Sequence, residues 1–172
     1  MKQEQKNISW ITLIKPPDLL TVCSLICGYI AIYCFIYNSS ILAGFLILAA
    51  AIFDRLDGKL ARKMKISNLF GFHLDSLVDQ VSFGVVPAIG LLMSPNKSIG
   101  VFIGFLWILA TTLRLSKFNT LQISEYFIGL PSTMAAAMFG MLNILPIPGP
   151  LYYSISLVLT VLMVASFRFK KI

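Results

Sequence analysis

The sequence predicts an all-α integral membrane protein with six transmembrane helices, a short N-terminal interfacial helix and both termini in the cytoplasm. Composition is the first observation behind this prediction: of 172 residues, 58% are apolar and 12% are charged, with a mean hydropathy of +0.85. A soluble domain carries about 25% charged residues. The second observation is a succession of six apolar stretches of helical length, and the third is a one-sided distribution of basic residues.

The length of the chain excludes several classes of protein. Six membrane helices of about 21 residues each use most of the chain, so no room remains for an ATP-binding, dinucleotide-binding or nucleic-acid-binding domain. We therefore treat residues 1–172 as a single membrane domain, with residues 1–16 as an N-terminal juxtamembrane segment. The net charge of +7 favours anionic headgroups or phosphates as neighbours, and nucleic acid is not expected as a partner.

The helices are predicted from apolar runs that are bounded by turn residues. The first helix follows Pro16-Pro17, with Asp18 expected as its N-cap. Apolar side chains within Asn7–Ile14 favour a short interfacial helix before it. Ser132, directly after Pro131, is expected to cap the fifth helix. The six predicted spans are Leu19–Tyr37, Ile41–Lys63, Gly71–Leu92, Ile99–Phe118, Gly129–Leu145 and Tyr152–Phe167.

The basic residues give an independent test of this topology. Cytoplasmic loops of membrane proteins carry an excess of Lys and Arg. With a cytoplasmic N-terminus, only Lys97 falls outside, while Arg55 and Arg114 lie within helices near the inner side. The remaining basic residues all fall inside: Lys2, Lys6, Lys15, Lys59, Arg62, Lys63, Lys65, Lys117, Arg168, Lys170 and Lys171. The chain is therefore expected in the cell membrane as a multi-pass protein.

Four aspartates within the second and third predicted helices are unusual for membrane helices. Asp54 and Asp57 are three residues apart and Asp75 and Asp79 are four apart, so each pair lies on one helix face. The short connection makes the two helices antiparallel neighbours, and the pairs can face each other. An ionised carboxylate in a membrane costs about 2.5–3.5 kcal/mol, so four together need protons or divalent cations. Carboxylate oxygens are ligands that Mg²⁺, Mn²⁺ and Ca²⁺ prefer.

The neighbouring residues fit phosphate chemistry. Gly58, Ala61 and Gly71 carry little or no side chain beside the carboxylates, which lets a ligand approach the backbone. Arg62 supplies a guanidinium, which can grip a phosphate through two nitrogens. Small residues alone are common at helix-packing positions, but together with the acids they indicate a binding site.

Read in full, the stretch is Asp54-x2-Asp57-Gly58-x2-Ala61-Arg62-x8-Gly71-x3-Asp75-x3-Asp79. It resembles, at every fixed position, the signature of the CDP-alcohol phosphotransferase (phosphatidyltransferase) family, whose members are similar six-helix membrane proteins. The resemblance implies transfer of a phosphatidyl group from a CDP-linked lipid to an alcohol, with release of CMP. It also implies two divalent cations, Mg²⁺ or Mn²⁺, an active site facing the cytoplasm, and a homodimer.

Three further segments resemble the phosphatidylserine synthase branch of that family. They are Asp75–Asp79 with the following Ser82–Ala88, then Leu113–Asn119, and then Gly129–Ser132. The resemblance implies L-serine as the acceptor and either CDP-diacylglycerol or CDP-archaeol as the donor. Apolar helices accept ester-linked and ether-linked tails alike, so the sequence leaves the donor open.

The resemblance also implies roles for individual residues. Asp79 is the expected general base, and the expected metal ligands are Asp54, Asp57, Asp75 and Asp79. Many relatives carry Asn where this chain has Asp18, so Thr21 is the better candidate for a nucleotide contact from the first helix. The expected CDP-lipid-binding residues are Thr21, Asp57, Gly58, Ala61, Arg62, Asn68 and Gly71. The expected serine-binding residues are Arg114, Lys117 and Asn119, which follow one another near the end of the fourth helix.

Two alternatives remain open on the sequence. The same enzyme could use another acceptor: glycerol phosphate, inositol phosphate or ethanolamine. A protein of a different class, a cation-coupled membrane transporter, also carries embedded acids. The transporter accounts for the aspartates but not for Arg62 together with Gly58, Ala61 and Gly71.

Overall fold

The computed structural model describes residues 13–65, 69–121, 126–165 and 168–170. Helices dominate these residues, as predicted, and a π-helical turn, Gln80–Val85, joins the third helix to the fourth. The helices are α1 Pro16–Ile36, α2 Ser40–Met64, α3 Leu69–Asp79, α4 Val86–Leu92, α5 Lys97–Leu121, α6 Ser132–Ile144 and α7 Gly149–Val164. Two short strands, β1 Tyr126–Ile128 and β2 Arg168–Lys170, pair antiparallel with Phe127 opposite Phe169.

Three helical segments of the described chain are long and apolar enough to cross a bilayer: Pro16–Ile36, Leu69–Leu92 and Lys97–Thr120. Helices α6 and α7 are apolar but shorter, with 13 and 16 residues, whereas a span needs about 20. Helix α2 carries charged residues in its second half. The helical class is therefore confirmed, with three candidate membrane spans among the described residues. Six crossings and the location of the termini stay predictions, and most of the expected interfacial helix Asn7–Ile14 lies outside the described residues.

Helix α2 packs between α1 and α6. A Cβ atom on Gly44 would lie 2.5 Å from the carbonyl oxygen of Gly140, and one on Gly140 would lie 2.9 Å from the oxygen of Gly44. The two glycines therefore bring the backbones of α2 and α6 into direct contact, as small residues do between membrane helices. Helix α5 packs against α4 and α7.

The third predicted helix, Gly71–Leu92, is interrupted by the π-helical turn. Pro87 explains the interruption: in a regular helix its N–H would bond the carbonyl of Phe83, and proline has no N–H. The indole Nε1 of Trp107, on α5, donates a 2.9 Å hydrogen bond to that carbonyl instead. Trp107 is fully buried, so this bond ties α5 to the π-helical turn inside the core.

Several predicted helix ends differ from the structure. Lys15 is the N-cap of α1, and Asp18 is instead its third residue, which accepts a 2.7 Å hydrogen bond from the Lys15 N–H. The chain enters the helix through Pro16, whose fixed φ suits the first helical position. Helix α6 starts at Ser132 instead of Gly129, because Gly129 has a φ of +75°. Helix α7 ends at Val164, before the predicted Phe167.

Candidate active site

The two aspartate pairs converge between the end of α2 and the start of α3, as the spacing predicts. One carboxylate oxygen from each of Asp54, Asp57 and Asp75 lies within 4.8 Å of the other two. Asp57 is buried, and Asp54 and Asp75 are half-buried. Three acids that approach this closely repel one another, so the arrangement calls for positive charge among them.

Asp79, the fourth predicted ligand, lies one turn further along α3, and its carboxyl group interacts with that of Asp54. It lies outside the group formed by the other three carboxylates. It also interacts electrostatically with Arg114 of α5. Asp79 therefore interacts with both a carboxylate of the cluster and a cation, which suits a group that exchanges a proton with a substrate.

Two threonine hydroxyls from other helices orient the cluster. Thr21 of α1 donates a 2.7 Å hydrogen bond to Asp57 Oδ2, and both residues are buried. Thr133 of α6 donates a 3.2 Å hydrogen bond to Asp54 Oδ2. The sequence predicted Thr21 as a lipid-binding residue, and the structure brings it to the carboxylates. Thr133 was not predicted at all, because it is separated from Asp54 by 79 residues.

The small residues of the motif have different neighbours. Arg62 folds back over Gly58, where its Nη1 lies 3.4 Å from the position of a Cβ atom. At Gly71, a Cβ atom would lie 2.6 Å from Asp18 Oδ1, so α3 approaches the start of α1 closely there. Ala61 is half-buried on the same turn as Arg62, which is exposed. Asn68 lies outside the described residues, and its expected role stays a prediction.

Arg114 is half-buried, and its side chain reaches from α5 to the start of α6. Its Nη1 donates a 2.8 Å hydrogen bond to Ser132 Oγ, and Ser132 is fully buried. The buried Nε of Arg114 has no hydrogen-bond partner in the part of the chain that the structure describes. Ser132 was expected to cap α6, but α6 has no side-chain cap, and the hydroxyl binds the arginine instead.

The other two predicted serine-binding residues are arranged differently. Lys117 is exposed at the end of α5. Asn119 is half-buried and is hydrogen-bonded to Ser76 of α3, with its Nδ2 3.1 Å from Ser76 Oγ. Only Arg114 thus has both a fixed side-chain position and an electrostatic interaction with Asp79. The serine-binding roles of Arg114, Lys117 and Asn119 stay predictions.

The donor set fits a divalent metal ion. Mg²⁺ and Mn²⁺ prefer oxygen ligands, and the converging groups are carboxylates. Hydrogen bonds to the side chains that bind a metal commonly fix their orientation, and Thr21 and Thr133 supply such bonds. The four helices that contribute residues, α1, α2, α3 and α6, thus define a helical membrane protein with a carboxylate centre suited to a metal ion.

Comparison with known proteins agrees with this description. The family model of CDP-alcohol phosphatidyltransferase matches residues 15–166. An archaetidylserine synthase of Methanothermobacter thermautotrophicus is 35% identical, covering 100% of this chain and 75% of that protein. A CDP-diacylglycerol–serine O-phosphatidyltransferase of Helicobacter pylori is 32% identical over 91% of this chain and 73% of its own. One of the same name from Mycobacterium bovis is 36% identical over 73% of this chain and 48% of its own length.

The match extends over most of the chain and includes every described element from α1 to α7. The chain belongs to the CDP-alcohol phosphatidyltransferase family. It spans about three quarters of the archaeal relative and about half of the mycobacterial one.

Proposed function

We propose that this protein transfers the phosphatidyl group of a CDP-linked lipid to the hydroxyl of L-serine and releases CMP. The observation that carries the proposal is the convergence of Asp54, Asp57 and Asp75 within 4.8 Å, with Asp79 adjacent to them. The names of the archaeal and bacterial relatives support serine as the acceptor. The donor is CDP-diacylglycerol or CDP-archaeol.

In the proposed reaction, the serine hydroxyl oxygen attacks the phosphorus on the lipid side of the diphosphate. A new P–O bond forms, the bond between that phosphorus and the bridging oxygen breaks, and CMP leaves with the bridging oxygen. Asp79 accepts the proton of the serine hydroxyl as the general base. The interactions of Asp79 with Asp54 and with Arg114 support this role, because its carboxyl group is then near both the proposed metal ligands and the proposed acceptor site.

Two divalent cations, Mg²⁺ or Mn²⁺, would be held by Asp54, Asp57, Asp75 and Asp79. Bound there, they supply Lewis-acid polarisation of the diphosphate and neutralise the charge that develops on the leaving CMP. The chain itself contributes the orientation of the ligands. Thr21 and Thr133 restrain Asp57 and Asp54 by hydrogen bonds, so little reorganisation is needed when substrate arrives.

The CDP-lipid is proposed to lie along the face formed by α1, α2 and the start of α3. Arg62 would hold the diphosphate, with its guanidinium over the open surface of Gly58. Ala61 leaves space for the nucleotide, and Gly71, whose missing side chain makes room for Asp18, would form the pocket wall. Thr21, Asp57 and Asn68 would complete that side of the pocket. The close approach of Gly71 to Asp18 supports a narrow pocket wall at this point.

The serine substrate is proposed to bind next to Asp79, with its carboxylate on the guanidinium of Arg114. A guanidinium grips a carboxylate through two nitrogens. The buried Nε of Arg114, which has no hydrogen-bond partner among the residues that the structure describes, supports this assignment. Lys117 and Asn119 would complete the acceptor site from the end of α5.

The finer features of the membrane setting are also proposals. They are six spans within one domain, both termini and the active site on the cytoplasmic side of the cell membrane, and a homodimer. The concentration of Lys and Arg on one side of the predicted topology supports the orientation.

A direct test measures CMP release by the purified protein in detergent with CDP-diacylglycerol or CDP-archaeol and a panel of alcohols. The proposal predicts release with L-serine that requires Mg²⁺ or Mn²⁺, and little release with glycerol phosphate, inositol phosphate or ethanolamine. If CMP is released preferentially with another alcohol, that alcohol and not serine is the acceptor. If liposomes that contain the protein take up solute in a cation-driven manner and no CMP is released, the protein is a transporter and the proposed enzymatic function is wrong.

A further inference from the structure

The start of α6 presents two adjacent hydroxyls to two groups of opposite charge. Ser132 Oγ accepts a 2.8 Å hydrogen bond from Arg114 Nη1. Thr133 Oγ1, on the next residue, donates a 3.2 Å hydrogen bond to Asp54 Oδ2. The first turn of α6 thus contacts both Arg114, which is proposed to bind the acceptor, and Asp54, a carboxylate of the metal-binding cluster.

These hydroxyls do not serve the helix end itself. Ser and Thr at a helix start usually bond the free backbone N–H groups there, but α6 has Pro131 as its N-cap and no side-chain cap. Their hydrogen bonds are directed instead to α5 and α2. A local structural role at the end of α6 therefore does not account for this pair of residues.

The residues before α6 are fixed by contacts with the end of α7. Gly129, with a φ of +75°, fits closely against the end of α7, where a Cβ atom would lie 2.6 Å from the carbonyl oxygen of Met163. The N–H of Leu130 donates a 2.9 Å hydrogen bond to the carbonyl of Leu162. Side chains that extend from a fixed backbone position hold their partners more accurately than side chains on a loop.

Electrostatics explain why such restraints matter here. Arg114 interacts electrostatically with Asp79 and Asp54, and opposite charges attract strongly where water is scarce. Without a neutral partner, the guanidinium would move onto the carboxylates and neither would be available to a ligand. Ser132 occupies Nη1, which lies on the opposite side of the guanidinium from the Nε hydrogen. The Nε hydrogen, on the other edge, is buried and has no hydrogen-bond partner among the described residues.

We infer that Ser132 and Thr133 are positioning residues that keep the acceptor-binding arginine and the metal-binding carboxylate apart, each in its own working orientation. Ser132 acts on serine binding through Arg114, and Thr133 acts on metal binding through Asp54. The Ser132 half of this inference rests on the proposed function, whereas the Thr133 half requires only that the carboxylates bind a cation.

The test separates the two hydroxyls in the purified full-length protein. Ser132→Ala is expected to raise the KM for serine about tenfold, as loss of a hydrogen bond to a charged group does, and to leave the KM for CDP-lipid and the Kd for Mn²⁺ within about twofold. Thr133→Val is expected to raise the Kd for Mn²⁺ about tenfold, measured without substrates from the electron paramagnetic resonance signal of free Mn²⁺. Thr133→Ser keeps the hydroxyl and is expected to restore the Kd.

Matched controls remove a buried hydroxyl elsewhere. Ser156→Ala and Thr160→Val delete hydroxyls on α7 that, within the described part of the chain, bond carbonyls of their own helix. Neither variant is expected to change KM or Kd. The inference requires both the rise in the serine KM for Ser132→Ala and the rise in the Mn²⁺ Kd for Thr133→Val. The inference is overturned if Ser132→Ala matches Ser156→Ala or raises both KM values equally, or if Thr133→Val binds Mn²⁺ as Thr160→Val does. If the wild type uses an acceptor other than serine, the proposed function fails, while the Mn²⁺ titration still decides the role of Thr133.

Discussion

The hydroxyl of Thr21 donates a 2.7 Å hydrogen bond to Asp57 Oδ2 and thereby joins α1 to the carboxylate cluster. The two residues are 36 positions apart and both are buried. A buried carboxylate needs such a donor, because an unsatisfied one is costly. The first helix is therefore part of the candidate active site and not only a membrane anchor.

Replacing Thr21 with Val keeps the shape of the side chain but removes the donor to Asp57. We expect the Mn²⁺ concentration for half-maximal CMP release to rise about tenfold, as for other hydrogen bonds to charged groups. Thr21→Ser is the matched control, since it retains the hydroxyl. Equal metal requirements for the Val and Ser variants would contradict a role of this bond in orienting Asp57.

Replacing Asp79 with Asn removes the proposed general base and retains the size of the side chain. Loss of general-base catalysis costs about 10²–10⁴-fold in rate. The rate of CMP release should therefore fall by at least about 10²-fold. Binding of CDP-lipid in the presence of Mg²⁺ should persist, measured with radiolabelled lipid. Turnover at the wild-type rate would show that another group accepts the proton.

Replacing Arg114 with Ala is expected to raise the KM for serine more than the KM for CDP-lipid, because only the acceptor would lose its charged partner. Arg114→Lys keeps the charge but loses the planar fork, so we expect partial recovery. Steady-state kinetics with each substrate varied in turn give both constants. Equal increases in the two KM values would remove Arg114 from the acceptor site.

Replacing Trp107 with Phe tests the packing of the π-helical turn. The variant keeps an aromatic ring but leaves the Phe83 carbonyl without its indole donor. An unpaired buried polar group costs about 1–3 kcal/mol, so the apparent Tm in detergent should fall while the KM for serine stays unchanged. Phe105→Leu, at an exposed position of the same helix, is the control. An unchanged Tm for Trp107→Phe would mean that the bond contributes little.

Periodicity in the sequence is sufficient to predict most of the helices and the carboxylate pairs. The separations of Asp54 from Asp57 and of Asp75 from Asp79 match one helical turn, and a short connection forces the two faces together. The structure brings three of these four carboxylates into one group, with the fourth beside it. Local spacing was informative here because the site is built mainly from two consecutive helices.

Features that depend on distant contacts could not be predicted in the same way. The π-helical turn requires Trp107 to reach the Phe83 carbonyl, and only Pro87 gave a local signal of it. Ser132 and Thr133 look like ordinary helix-start residues until their partners on α5 and α2 are known. The pairing of β1 with β2 joins segments of only three residues, which are too short to show an alternating pattern.

The central claim is that the aspartates of α2 and α3 hold divalent cations. Crystals of the protein soaked with Mn²⁺ and measured for anomalous scattering test it most directly. We predict an anomalous peak within coordination distance of carboxylate oxygens from Asp54, Asp57 and Asp75, and no such peak in the Asp57→Asn variant. Wild-type crystals that show no peak between these three side chains would contradict the account.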